Sequence, residues 1–483
     1  MDMATTPAFS TKLLINGELV DGAGAVEQIL NPATGATLVT VKEANGEQIN
    51  AAVAAAREAF KSWSLTTPRQ RSELLLEVVD HLKKNIEIYA RLESLNCGKP
   101  YLGMLNGEML AIIDAIRFFA GACRVLNGSA AGEYVQDHTS IIRRDPVGVV
   151  GSVAPWNFPL MMAAWKVFAP ISVGNTVVVK PSEQTPLTLL RLAEFLADLL
   201  PKGVVNVVAG RGESAGSTLV SHPGVAMVSL TGDVTTGQKV LQSAVTTLKR
   251  THLELGGKAP VIIFNDADLD AAVETVRTAG FENAGQDCCA ACLVYAQSGV
   301  YDKVVEKLNG AITTIRSGAP EAEDTELGPL ISQRQRDRVE SFIQRARTSK
   351  HIEILTGGKP AAGDGFYYEP TLVVGANAQD EIVRREVFGP VVAVSRFETA
   401  DEVIDWSNES HYGLASSVWS STTSTALKVA ARLRYGTVWV NQHFTLISEM
   451  PHGGLRHSGY GKDQSIYSLE DYTSIRHVML NFS

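Results

Sequence analysis

Apolar residues recur at intervals of three and four along 46–62 and 67–96, as at Leu74, Leu75, Val78, Val79 and Leu82. That is the spacing of one buried helix face. A further helix is expected over 104–121, ending near Gly121. Ahead of these, residues 12–20 read as two short strands about an Asn16-Gly17 turn. Residues 125–146 lose the regularity: Gly128, Gly132, Thr139 and Ser140 interrupt β-prone stretches and Asp145-Pro146 closes them, so a protruding hairpin or arm is expected. From Val147 the pattern alternates. Val-rich runs at 147–154, 176–180, 204–208 and 227–230 are separated by helix-spaced stretches at 160–173, 186–200, 212–220 and 235–245. Such alternation predicts a parallel sheet covered by helices, which binds nucleotides at its carboxyl ends.

A second α/β unit is expected from Glu254, with strands at 260–264, 291–296, 392–396, 414–420 and 436–441 and helices at 268–279, 299–316, 332–348, 400–408 and 423–434. The tail from Ser468 is β-prone and has no helix of its own to cover it. Neither the tail nor the 125–146 arm can easily bury its backbone edges alone, so both are expected at an oligomer contact.

A length of 483 residues implies about two or three domains. The net charge of −9 gives no reason to expect nucleic acid or an anionic membrane as partner. Residues 1–12 are polar and show no secretory pattern, and no apolar run reaches membrane-spanning length. The five cysteines are Cys97, Cys123, Cys288, Cys289 and Cys292; an odd count with three clustered fits a reducing cytoplasm better than a disulfide framework. Cys289-x-x-Cys292 is half of a zinc or redox motif without a second pair, and no metal site is expected from it.

The chemistry centres on Phe281–Ala290, where Cys288 follows Gly285-Gln286-Asp287. A free cysteine is often mere packing, but these neighbours are unlike core, which makes Cys288 a candidate nucleophile. If the chain is extended there, Asp287 and Cys289 face away from Cys288. Glu254 stands before Gly256-Gly257, a tight backbone suited to a ligand, and is a candidate general base rather than a surface charge. Asn157 lies between Pro155 and Pro159 at the end of a strand, where an oxyanion donor would sit or where a plain turn would do. Lys180 and Glu183 end the next strand and suit ribose hydroxyls, the carboxylate disfavouring a 2′-phosphate; a capped helix start is the alternative. Gly232 and Gly237 would let a pyrophosphate approach a helix start.

Taken in order, Pro155-Trp156-Asn157-Phe158-Pro159, Lys180-Pro181-Ser182-Glu183, Leu253–Lys258, Gly285–Ala290, Glu386-Val387-Phe388-Gly389-Pro390 and Pro451-His452-Gly453-Gly454 resemble the NAD(P)-dependent aldehyde dehydrogenases over about residues 12–480. Gly285–Cys288, His138-Thr139-Ser140, Arg143–Pro146, Ser448–Gly454 and Ser458–Asp463 are similar to bacterial γ-aminobutyraldehyde (1-pyrroline) dehydrogenases. The resemblance implies an α/β fold with a Rossmann-like NAD-binding domain (1–123 and 147–253), a second α/β catalytic domain (254–454), and an oligomerisation arm with a C-terminal strand (124–146 and 468–483) in a cytoplasmic homotetramer. It implies Cys288 as nucleophile, Glu254 as base, and Asn157 with the Cys288 N–H as oxyanion hole. Lys180 and Glu183 would hold the adenosine ribose and Glu386 the nicotinamide ribose. Pro155, Trp156, Gly232, Asp233 and Phe388 would line the cofactor cleft. NAD is favoured over NADP.

Two departures stand out. Asp233 takes the place of a common serine beside a cofactor phosphate, and Ile466 takes the place of a second glutamate in a proton relay. For the substrate, an amino aldehyde, Glu108 is the leading carboxylate ahead of Asp114 and Glu449, with Phe158, Trp165 and His452 lining the tunnel. Betaine aldehyde or aliphatic aldehydes, a catalytically retired structural relative, and a cofactor-free cysteine hydrolase are the other readings.

Overall fold

The computed structural model describes residues 8–128 and 131–483. Helix Gly46–Trp63 starts at a capping box, in which Asn45 and Gln48 each accept the other's backbone N–H, and it buries Ile49, Ala52, Val53 and Ala56. The expected 67–96 helix is two helices, Pro68–Lys84 and Ile86–Cys97. Asn85 leaves helical geometry at the break, and its side-chain amide donates to the His81 carbonyl at 2.8 Å. The expected 104–121 helix begins as a π turn, Met104–Glu108, before the α-helix Met109–Ala122. Likewise 212–220 is a π turn followed by the one-turn helix Ser217–Ser221.

Eight strands form the first sheet. Five of them are parallel and lie in the spatial order Arg250–Leu255, Met227–Gly232, Val149–Val153, Thr176–Lys180, Val205–Val207. The chain therefore runs outward in one direction from Val149–Val153, returns, and runs outward in the other. The carboxyl ends of Val149–Val153 and Met227–Gly232 flank the point of reversal, where such sheets leave a crevice for ligands. The Leu13–Ile15 and Glu18–Val20 hairpin closes one edge and Gly459–Tyr460 the other.

The second sheet has seven strands, in the order Glu353–Thr356, Thr371–Val374, Val391–Phe397, Leu293–Gln297, Pro260–Ile263, Ala415–Trp419, Thr437–Val440. All pairings are parallel except that of Glu353–Thr356 at the edge. Covered on both faces, its strands are continuous apolar runs such as Val391–Ala393, as buried parallel strands must be. The two sheets have separate cores, one drawing on Leu13 to Leu255 with Leu469 and Tyr472, the other on Val261 to Tyr435.

The arm is the hairpin Gly132–Val135 and His138–Pro146. The tail departs from expectation in two ways: it opens with a short helix, Ser465–Asp471, and its strand Thr473–Asn481 finds its partner within the chain. It pairs with His138–Pro146 in unbroken antiparallel register from Thr473↔Pro146 to Asn481↔His138. Among the described residues no helix is long and apolar enough to cross a membrane.

Candidate active site

Asn157, Lys180, Gly232 and Glu254 lie at or just beyond the carboxyl ends of the first sheet's parallel strands. Val149–Val153 leads into Pro155-Trp156-Asn157, and Pro159 opens the helix Pro159–Ser172, a position where its missing N–H costs nothing. Asn157 is buried; its side-chain amide donates to the Gln286 carbonyl at 3.0 Å, and its own carbonyl accepts from the Asn283 amide at 2.9 Å. One Asn157 N–H is thereby engaged and the other stays available.

The turn that carries Cys288 is built on three successive left-handed residues, Asn283 (φ 49°), Ala284 (φ 55°) and Gly285 (φ 67°). For a residue with a Cβ such a conformation costs about 1–2 kcal/mol. The Gln286 side chain holds the turn, donating to the Asn283 carbonyl at 3.0 Å and accepting the Ile331 N–H at 2.9 Å. A Cβ on Gly285 would lie 2.1 Å from the Gly389 carbonyl oxygen, so only glycine fits.

Asp287 and Cys289 correct the extended reading. Residues 287–290 form a turn, in which the Asp287 carboxylate accepts the Cys289 N–H at 2.5 Å and the Asp287 carbonyl accepts the Ala290 N–H at 3.3 Å. Cys289 is therefore swung toward Cys288. The two sulfurs and the His452 imidazole all lie within 4.8 Å of one another, with 3.9 Å from Cys289 Sγ to His452 Nε2. Cys288 itself is half-buried. The strand expected from 291 begins only at Leu293, because Ala290–Cys292 completes this turn.

The two thiols titrate as a pair. A hydrogen bond from Cys288 and the positive His452 pull the Cys289 thiol down, against burial, while the same hydrogen bond and burial push Cys288 up. Burial alone would lower the pKa of His452, but the sulfur of Cys289 and the carboxylate of Glu254 raise it well above the usual histidine value. His443, which the sequence did not single out, fixes the turn from below: its Nε2–H donates to the Cys289 carbonyl at 2.8 Å and its Nδ1 accepts from Ser417 Oγ at 2.8 Å. Burial drops its pKa to about 4 and keeps it neutral.

Glu254 is buried at the end of Arg250–Leu255, with Oε1 3.8 Å from His452 Nε2. His452 was expected in a substrate tunnel beside Trp165. It does lie 6.0 Å from that ring, edge to face, but it also stands between the carboxylate and the thiols. Two backbone hydrogen bonds to Asp463, at 2.8 and 2.7 Å, hold it there. The glycines after Glu254 serve protein neighbours. A Cβ on Gly256 would meet Glu386 Oε2 at 2.4 Å, and one on Gly257 would meet the Cys288 carbonyl oxygen at 2.2 Å. Glu386 accepts the Gly257 N–H at 2.8 Å, and burial pushes its pKa up to about 7. Phe388 has φ 62° and meets Trp156 edge to face at 5.3 Å.

On the next strand Lys180 is buried, donating to the carbonyls of Pro181 and Gly210 at 2.8 and 2.9 Å, with Glu183 at 3.9 Å. Asp233 is turned onto its own helix, Val234–Ala244, as the N-cap, accepting the Thr236 N–H at 3.0 Å and its hydroxyl at 2.7 Å. Gly237 correspondingly makes room for Leu255, 2.6 Å from its would-be Cβ, rather than for a ligand. Nothing tighter than 3.5 Å meets the Cβ position of Gly232. Ile466 packs half-buried on the first core.

Glu108 is not a free carboxylate. It pairs with buried Lys99 at 2.7 Å, and Lys99 Nζ lies 4.0 Å from the centre of the Phe158 ring. Burial moves the Glu108 pKa up to about 7 despite Lys99. Glu93, fully buried, accepts the Leu160 N–H at 3.2 Å and adds a second carboxylate to this group. Lys99 and Glu93 carry no local motif that would have marked them. Asp114 is exposed and accepts from Ser448 at 2.8 Å, and Glu449 is exposed.

The profile described as "Aldehyde dehydrogenase family" matches residues 20–478. The chain is similar to an aldehyde dehydrogenase of Davidiella tassiana, at 39% identity over 97% of this chain and 95% of that one. It is also similar to the betaine aldehyde dehydrogenase of Bacillus subtilis (strain 168), at 37% identity over 98% of each. Among solved structures, the NAD+ complex of an aldehyde dehydrogenase from Bacillus cereus superposes with a TM-score of 0.96 at 37% identity, covering 98% of this chain and 97% of the other.

Proposed function

The chain belongs to the aldehyde dehydrogenase family, and from that premise we propose that it oxidises an aldehyde to a carboxylic acid with NAD, using Cys288 as nucleophile. The observation that carries this is one constellation: Cys288 on a rigid turn, Asn157 bonded to that turn, and Glu254 3.8 Å from the His452 imidazole that clusters with the Cys288 sulfur. In this reading the thiolate of Cys288 attacks the aldehyde carbon. The free N–H of Asn157 and the backbone N–H of Cys288 meet the oxyanion, each such donor being worth about 10²–10³ in rate. Bound NAD supplies the hydride acceptor. Glu254 then takes a proton from water to hydrolyse the thioester on Cys288, a contribution on the order of 10²–10⁴. With Ile466 in place of a second glutamate, His452 is the titratable neighbour of Glu254.

The residues present fit the dinucleotide. Lys180 and Glu183 offer a donor and an acceptor side by side for the adenosine ribose, at the carboxyl end of a parallel strand. The Glu183 carboxylate disfavours a 2′-phosphate and so favours NAD over NADP. Glu386 would hold the nicotinamide ribose, and Pro155, Trp156, Gly232 and Phe388 would line the cleft. Asp233, tied to its helix cap, presents backbone rather than a free carboxylate.

For the substrate we favour 4-aminobutyraldehyde. Glu93 and Glu108 lie with the single ammonium of Lys99 beside Phe158, and as pH rises past the Glu108 pKa of about 7 the group gains negative charge, which favours a cationic aldehyde. Betaine aldehyde is the second reading, since a betaine aldehyde dehydrogenase is among the relatives. NADH formation should be followed with 4-aminobutyraldehyde, betaine aldehyde, hexanal and succinate semialdehyde. Highest kcat/KM is expected for one of the two cationic aldehydes with NAD. Preference for succinate semialdehyde would refute the cationic pocket, and no turnover with any aldehyde would refute the oxidation. The arm sheet, which exposes Tyr134, Ile475, Met479 and Leu480, is our choice for the contact of a homotetramer; light scattering from a monomer would refute it.

A further inference from the structure

We propose that Cys288, Cys289 and His452 together form a binding site for a thiophilic divalent cation, with Zn²⁺ as the best match. Two thiols and an imidazole are the donor set of a three-ligand zinc site with an open fourth position. Tetrahedral bonds of about 2.3 Å to sulfur and 2.0–2.1 Å to nitrogen hold their donors roughly 3.5–3.8 Å apart. The Cys289 Sγ to His452 Nε2 distance is already 3.9 Å, and all three donors lie within 4.8 Å. Closing the triangle takes movements of about 1 Å or less.

The donors are also held in place, as a preformed site requires. Asp287 and His443 fix the cysteine turn, and the paired backbone bonds to Asp463 fix His452. A second observation points the same way. Neither carboxylate oxygen of buried Glu254, 3.8 Å from the same imidazole nitrogen, receives a hydrogen bond from the protein. Its ion-pair partner is the His452 imidazole, and a metal that displaces the Nε2 proton would take over that partnership. Among the described residues this is also the one group of three or more His, Cys, Asp or Glu side chains close enough to share an ion, and Cys292 of the Cys-x-x-Cys spacing is not in it.

A cation held by Cys288 Sγ draws electron density from the sulfur and crowds the position an aldehyde would take. Bound metal should therefore inhibit turnover by the proposed oxidation, and a chelator should restore it.

The test uses the reduced, full-length protein without aldehyde or dinucleotide, so that it stands apart from the proposed oxidation. Titration with Co²⁺ should develop thiolate-to-metal charge-transfer absorption and the visible bands of a four-coordinate ion at one equivalent per chain, both displaced by Zn²⁺. Cys289→Ser and His452→Gln should each weaken Co²⁺ binding by about tenfold or more, while Cys123→Ala leaves it unchanged. Absence of the thiolate band in the unmutated protein would overturn the proposal, whatever the variants do. So would a band that persists with full affinity in both Cys289→Ser and His452→Gln.

Discussion

Gly257→Ala places a methyl group where the backbone of Cys288 already is. The new Cβ would stand 2.2 Å from the Cys288 carbonyl oxygen and 3.3 Å from Leu414 Cβ. A carbon–oxygen contact needs about 3.3 Å, so the Cys288 turn must retreat by roughly 1 Å. It cannot rotate away freely, because a Cβ at Gly285 would already lie only 2.1 Å from the Gly389 carbonyl oxygen and Gln286 is anchored to Ile331. Overpacking of this kind costs about 1–3 kcal/mol of stability. A displacement of about 1 Å at the reacting atom costs about 10²-fold in rate. The Gly257 N–H also donates to Glu386 at 2.8 Å, and if Glu386 holds the nicotinamide ribose as proposed, KM for NAD should rise as well. The assays are a urea unfolding curve and NADH production under saturating aldehyde. Gly46→Ala is the control: nothing lies within 4 Å of its Cβ position at the start of a helix. It should be neutral or stabilise by up to about 1 kcal/mol. If Gly257→Ala matched the unmutated protein in both urea midpoint and kcat, the close apposition of Gly257 and Cys288 would be wrong.

Two further outcomes follow from the buried charges. Alkylation of the cysteine pair by iodoacetamide should rise through pH about 6, where Cys289 loses its proton. Replacing His452 with glutamine removes the cation that holds the thiolate and should move that midpoint upward by about 1 pH unit or more; identical midpoints would refute the pairing. Lys99→Met leaves Glu93 and Glu108 buried without a counter-charge and should cost about 3–5 kcal/mol in urea unfolding. A loss below about 1 kcal/mol, the range of a surface pair, would mean that the carboxylates are not held as described.

The parallel sheets were legible because burial on both faces writes them as Val-rich runs, and the strands at 149–153, 176–180 and 227–232 fall where those runs do. What escaped was geometry without a compositional mark. Asn283 and Ala284 adopt left-handed backbone although neither is glycine, and the turn that swings Cys289 inward is closed by the Asp287 carboxylate on the Cys289 N–H. The break at Asn85 comes from a side chain bonding back to His81, with no Pro or Gly in the sequence there. Lys99 lies in the loop between the helices Ile86–Cys97 and Tyr101–Gly103, so its pairing with Glu108, nine residues on, follows no helical spacing that a sequence pattern could show. The helix Ser465–Asp471 is short, and positive φ at Gln464 and Ser465 obscures its start. His443 reaches Cys289 from 154 positions away, a contact no local pattern encodes.

The central claim is that the sulfur of Cys288, not that of Cys289, forms the bond to substrate. Glu254→Gln should let the acyl-enzyme accumulate, giving one burst of NADH per active site followed by a stall. Quenching that state, digesting it and fragmenting the Cys288–Cys289 peptide in a mass spectrometer locates the acyl group. The account predicts it on Cys288, with no burst in Cys288→Ala; an acyl group on Cys289, or undiminished steady turnover by Glu254→Gln, would contradict it.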